Sequence, residues 1–324
     1  MRRRQFLGVL SGTAVWPLAA RAQEGLIARV GLLGSGGPGT RLAWPAFTDE
    51  LRKLGFTQGR NLAVEFRRID QGMAQAFAGA NELVAWRADV LFAFGPELGL
   101  QAAAAARPPV PIVILANNYD PITRGYVQSL SRPGGNVTGI VSRQLELVAK
   151  QIELLMEAFP ERKRLGALWD VLSADQFAAA EREAKARHLT LRAIKMENPP
   201  YDFDAAFRAL ARDGVDMLHV LGSPLFSQQY ERLAELTTQY RLPNIHILRH
   251  YVEAGGLMSY GVDFVPMMRR AASFVAKILL GAKPAELPLE QVGQFEFAVN
   301  LKAAKAMGLT LPTSILLRAD EVVE

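Results

Sequence analysis

From Arg29 onward one pattern repeats: a short apolar β-rich run, a polar or Gly-containing loop, then roughly ten to eighteen residues of helical periodicity. Parallel strands need a crossover of about a dozen residues or more. Helices of this length supply it, so the alternation confines the chain to parallel α/β sheets. Expected strands fall at 29–33, 61–67, 89–94, 111–115, 136–141, 164–169, 189–195, 215–221 and 244–247. That succession exceeds one ordinary open sheet, and 324 residues at roughly 150 per domain also point to two lobes. Expected helices include 45–54, with Pro45 in the first turn, then 73–86, 145–159, 175–188, 227–240 and 265–280. The loop Ser131-Arg132-Pro133-Gly134-Gly135 puts the first lobe boundary near Val141. Glu253-Ala254-Gly255-Gly256 marks a second change, followed by a strand at 257–260. The tail carries a strand-like run at 294–299 and a short helix ending at Gly308.

The first 22 residues read as an address. A basic start (Arg2-Arg3-Arg4), an apolar run from Phe6 to Ala20 and the triplet Ala20-Arg21-Ala22 form the layout of a cleavable export signal. The run is about 15 residues long and holds Gly8, Gly12 and Pro17, short of the roughly 20 that a spanning helix needs. Cleavage is expected after Ala22, which makes the product periplasmic. Arg3-Arg4-Gln5-Phe6-Leu7 also resembles the twin-arginine signal. The formal charge of +5 loses four arginines with this segment, leaving +1. A body so near neutrality lacks the basic excess that binding nucleic acid requires. With no cysteine in the chain, disulfides, thiolate metal sites, cysteine nucleophiles and a lipid-modified N-terminal cysteine are excluded.

Few motifs point to catalysis. Gly34-Ser35-Gly36-Gly37-Pro38-Gly39 fits the dinucleotide pattern GxGxxG and follows the first strand. Against it, Pro38 interrupts the string, the next helix is expected only near Pro45, and Arg67 and Arg68 stand where an acidic residue is wanted. An exported nicotinamide-dependent oxidoreductase using residues 34–39 is the alternative reading. His246 and His250 are four apart, but in a strand-to-loop setting without the Glu of HExxH, so no metal is expected. No Gly-x-Ser-x-Gly elbow occurs. A binding protein without a cofactor, not an enzyme, is the expectation.

Open α/β sheets bind ligands beyond the carboxyl ends of their strands. The loops there supply the candidate ligand-binding residues: Ser35, Gly36, Gly95, Glu97, Asn117, Tyr119 and Asp120 in the first lobe, and Ser223, Phe226 and Tyr251 in the second. Small and polar residues just before helices leave backbone N–H groups free for a ligand's charged group, and the aromatics cover an apolar part.

Several passages resemble periplasmic solute-binding proteins of ABC transporters, in the subgroup related to tryptophan- and tyrosine-binding proteins. They are Trp16-Pro17-Leu18-Ala19-Ala20-Arg21-Ala22-Gln23, LRKLGFTQGRNLAVEFR (51–67), SRPGGNVTGI (131–140), VEAGGLMSYG (252–261) and NLKAAKAMGLTLPTSILLRADEV (300–322). The resemblance implies a type I periplasmic binding fold: two doubly wound parallel-sheet α/β lobes joined by three crossovers, near 137–141, 247–251 and 291–298. The lobes would comprise 23–141 plus 251–290, and 142–250 plus 291–324. It also implies a monomer that closes on a small-molecule solute and delivers it to a membrane permease. Gly95-Pro96-Glu97 and Asn117-Asn118-Tyr119-Asp120-Pro121 depart from the family's usual cleft residues. An extra carboxylate at Glu97 would favour a cationic group.

Overall fold

The computed structural model describes residues 27–36, 38–142, 144–292 and 295–324; the expected export signal at 1–22 lies outside the described residues. In chain order the strands are β1 (Ala28–Gly34), β2 (Leu62–Arg68), β3 (Val90–Gly95), β4 (Ile112–Ala116), β5 (Val137–Ser142), β6 (Arg164–Trp169), β7 (Thr190–Lys195), β8 (Met217–Val220), β9 (Asn244–His246), β10 (Met258–Val262), β11 (Glu290–Val292), β12 (Phe295–Asn300) and β13 (Glu321–Val323). They build one sheet in the order β11-β5-β4-β3-β1-β2 and another in the order β13-β12-β10-β9-β8-β6-β7. All pairings are parallel except β10 with β12. Two parallel-sheet α/β lobes are present, as the alternation requires.

Strands such as VLFAFG (β3) and IVILA (β4) are buried on both faces, which only helices on both sides of a sheet can achieve. In the first lobe the helices Pro38–Lys53 and Phe264–Leu279 pack together over one face, burying Phe47, Phe92, Met267 and Phe274. The Phe47 and Phe92 rings stack with centroids 5.1 Å apart. Met73–Ala85 and Glu97–Ala105 cover the other face through Leu83, Leu91 and Leu100. Each such side chain contributes about 1.5–3 kcal/mol by leaving water. In the second lobe Gln144–Ala158 and Ala174–Ala186 flank one face, and Phe203–Arg212 and Tyr230–Gln239 the other.

Three differences from the sequence expectation have physical causes. The first helix starts at Pro38, not Pro45; Pro38 takes the N-terminal position a proline tolerates, and Pro45 lies inside the helix. Residues 249–251, expected as loop, begin the short helix Arg249–Glu253. The passage between lobes expected at 247–251 comes later, after β10. Met258 and Ser259 pair with β9, and the whole of β10 pairs with β12, so this strand extends the second sheet rather than joining 251–290 to the first. Asp263 then caps the helix Phe264–Leu279, its Oδ1 accepting from Val265 N at 2.9 Å, and that helix returns to the first lobe. The other two passages fall between β5 and the helix Gln144–Ala158, and between β11 and β12.

Candidate functional site

Strand order reverses beside β1 in the first sheet, between β1 and β3, and beside β6 in the second, between β6 and β8. At such a reversal the following helices diverge to opposite faces and leave a crevice beyond the strand ends. The two crevices face each other. Between them lies an inner chamber of about 690 Å³ lined by Ser35, Phe94, Gly95, Pro96, Leu115, Asn117 and Asn118 from the first lobe, by Gly222, Ser223, Pro224, Ser227, Ile247 and Leu248 from the second, and by Ala43, Phe264 and Met268 at its back. Among the described residues that line it, none is charged. Gly34 makes room for one wall: a Cβ there would lie 2.1 Å from the Phe94 ring.

A wider outer chamber of about 1760 Å³ adjoins it, and Pro96 and Asn118 border both. Its charged residues are Asp70, Glu97, Arg124, Asp175, Lys195 and Glu197. Every carboxylate already has a partner. Asp70 accepts from Arg68 (2.8 Å) and from Gln228 Nε2 of the other lobe (2.8 Å). Burial pushes this carboxyl up, but the Arg68 guanidinium outweighs burial and holds it below the usual range. Glu97 accepts from Tyr126 Oη (2.9 Å) and pairs with Arg124 (3.3 Å), which reaches across the cleft to Asp175 (2.7 Å). Glu197 pairs with Lys195. The Asp70–Gln228 and Arg124–Asp175 contacts, with Asn118 Nδ2 donating to Leu172 O and Gly222 O at 3.3 Å each, tie the lobes together.

Behind the inner chamber Asp170 is fully buried at the end of β6. Ser223, Ser173 and Tyr201 hydroxyls and the Leu172 and Ser173 amides all donate to it. Burial raises its carboxyl above the ordinary value, and those donors oppose the rise. The arrangement orients Ser223: its proton is committed to Asp170, and its oxygen accepts from Leu225 N (3.2 Å).

Of the residues expected at the ligand, Ser35, Gly95, Asn117 and Ser223 meet around the inner chamber, and Glu97 borders the outer one with its carboxylate engaged. Gly36 lies beside the Arg68 guanidinium rather than on either wall. The other four lie away from both chambers. Tyr119 is buried under the first lobe, its ring edge-on to Tyr126. Asp120 shapes a turn, Oδ1 accepting from Ile122 N at 2.9 Å. Phe226 sits in the second core against Tyr201 and Phe203. Tyr251 has no exposed surface; it lies under Gly256, where a Cβ would be 2.1 Å from its ring, and its hydroxyl donates to Asn244 Oδ1 at 2.8 Å. An aromatic residue near a strand end reads the same in a one-dimensional pattern whether it turns inward or to the cleft. Conversely, Asn118, Asp70, Gln228, Phe264 and Met268 had no local signal as cleft residues beyond Asn118's place in the same polar loop.

Among the described residues no three His, Cys, Asp or Glu side chains converge as a metal would need, and no helix is long and apolar enough to cross a membrane. His246 and His250 do not share a site: His246 Nδ1 accepts from Leu248 N (3.1 Å), whereas the His250 ring packs edge-on against Tyr230.

Comparison with known proteins matches residues 36–323 to the family described as ABC transporter substrate binding protein. The chain belongs to this family. This substrate-binding protein is also 24% identical over 275 residues to the tyrosine-binding protein of Clostridioides difficile (strain R20291), covering 84% of this chain and 78% of that one. A conserved domain protein from Vibrio cholerae O1 biovar El Tor superposes with a TM-score of 0.82 at 25% identity, over 91% of this chain and 99% of the other. The ABC domain from Streptococcus pneumonia in complex with L-Trp gives 0.80 at 24% identity, with the same coverage. The fold is therefore that of type I periplasmic binding proteins, and the protein is a solute receptor, not an enzyme. The helix Pro38–Lys53 follows β1, but the place of a ribose-binding acid is held by Arg68, locked to Asp70 and covered by Gln228 from the opposite lobe.

Proposed function

We propose that this substrate-binding protein is exported to the periplasm, works there as a monomer, closes on an aromatic amino acid or a closely similar solute, and delivers it to a membrane permease. One observation carries the ligand class: a largely apolar chamber, with no charge among its described residues, lies at the two facing crevices, and a charged chamber adjoins it. A solute with a planar apolar part and a charged head fits that pair of environments, the ring enclosed inside and the head kept where polar groups and water remain. A ligand bristling with phosphates does not fit, since the described residues of the inner walls offer no cation. The L-Trp complex and the tyrosine-binding relative support the same class. Ser35, Gly95, Asn117 and Ser223 are the polar contacts of this reading. Export and cleavage after Ala22 rest on residues 1–22.

The test is thermal denaturation of the mature protein with a panel of amino acids, aromatic acids and sugars. A ligand at 100 times its dissociation constant adds about 2.7 kcal/mol to the folded state, and for a chain this long each kcal/mol raises the midpoint by roughly 2 °C. The expected result is a rise of about 5 °C with at least one aromatic amino acid. Shifts confined to sugars, or none across the panel, would overturn the ligand class.

A further inference from the structure

Asn118 stands at the junction of the two chambers and is only 6% exposed. Its amide orientation is settled by chemistry. Both Leu172 O and Gly222 O are carbonyl acceptors, so only the NH₂ side can face them. That leaves Oδ1 as an acceptor, and it has no hydrogen-bond partner. An unsatisfied buried acceptor is uncommon in a folded protein and destabilises it, which makes this atom a place where a partner is missing. Gly222 O, on the same side, cannot supply one: it is itself an acceptor, already shared by Asn118 and Gln176 Nε2. Ser223, the next polar group, has its proton committed to Asp170 and therefore also presents oxygen rather than hydrogen. Acceptors thus cluster where the solute's head would leave the apolar chamber.

We propose that Asn118 Oδ1 is the specificity-determining contact for an N–H donor on the solute, the amine of an amino acid, and that it selects against the same solute without the amine. The inference rests on the amino-acid reading above and assigns one group of that solute to one atom. A carboxylate placed against Asn118 Oδ1 and Gly222 O would face two acceptors and be repelled. An amine completes the hydrogen bonding of Oδ1, the one buried side-chain acceptor without a donor among the described residues of this wall.

Isothermal titration of the mature protein with L-tryptophan and with 3-(indol-3-yl)propionate, and with L-phenylalanine and 3-phenylpropionate, separates the possibilities. Wild type should prefer each amine-bearing member by roughly tenfold or more. Asn118→Leu also loses the two interlobe donors, which weakens both members of a pair alike, so the readout is their ratio. The ratio should fall to within about threefold. Asn118→Asp, which keeps an oxygen acceptor, should retain the preference. Wild type binding both members of a pair equally overturns the assignment without any variant. An undiminished ratio in Asn118→Leu overturns it as well. If no member of either pair binds wild type, the amino-acid reading fails and this inference fails with it.

Discussion

Lowering the pH from 7 to 5 should destabilise this protein through two histidines that its second sheet holds neutral. His219 on β8 and His246 on β9 have no exposed surface. His219 Nε2 lies 2.7 Å from Gln151 Oε1, and because Gln151 Nε2 donates to Tyr260 O, that oxygen accepts and the ring proton sits on Nε2. His246 accepts from Leu248 N at Nδ1 and carries its proton on Nε2. Burial pushes both down to about 3, and for His246 the nearby His250 and His219 add to the effect. An unfolded histidine takes up its proton near pH 6.5. Between 6.5 and 3 the unfolded chain therefore binds protons that the fold refuses, so stability is complete above 6.5 and is lost as pH falls. At pH 5, 1.5 units below the unfolded value, the loss is about 2 kcal/mol per ring and about 4 kcal/mol together. At roughly 2 °C per kcal/mol the midpoint should drop by about 8 °C. His250, also lowered by burial, acts in the same direction, whereas Asp70, held low by Arg68 against its burial, titrates below this window. Calorimetric melts at the two pH values and constant ionic strength give the measurement, and His219→Gln should remove about half of the shift. A midpoint at pH 5 within about 2 °C of that at pH 7, or a full shift in His219→Gln, would refute the reasoning.

Other expectations follow from single contacts. Tyr251→Phe removes the hydroxyl donated to Asn244 Oδ1 and should lower stability by about 1 kcal/mol while leaving solute affinity unchanged; altered affinity in titration would return Tyr251 to the site. Arg124→Gln breaks the bridge from Glu97 to Asp175 across the cleft. Partly exposed pairs contribute under about 1 kcal/mol, so the melting midpoint should barely move, but the radius of gyration in solution scattering should increase; an unchanged radius would show that the bridge does not hold the lobes together. N-terminal sequencing of the exported form should begin at Gln23, and replacing Arg3 and Arg4 by Lys should block export; continued export would reject the twin-arginine route.

Fold class and the choice of strand-end loops were legible because both follow from periodicity along the chain. Runs such as IVILA at β4, with helical stretches between them, admit little but a covered parallel sheet, and Ser35, Gly95, Asn117 and Ser223 end such runs. Strand order is another matter. That β10 joins β9 and β12, and that the order reverses beside β1 and β6, depends on contacts between segments far apart in the chain. So does the direction each side chain takes. Tyr119, Phe226 and Tyr251 carry the same composition signal as a cleft aromatic, and only the packing of Tyr126, Phe203 and Gly256 against them turns them into core. Phe264 and Met268 reach the cleft from a helix that starts more than two hundred residues after β1. What the sequence determined by itself was therefore the kind of layers and the loops that could bear a site, since these are short-range consequences of hydrophobic period. The tertiary structure alone decided which residues line the chambers, which carboxylates are already neutralised, and that Asn118 is left with an unmet acceptor, because burial and hydrogen-bond partners arise only when the two lobes meet.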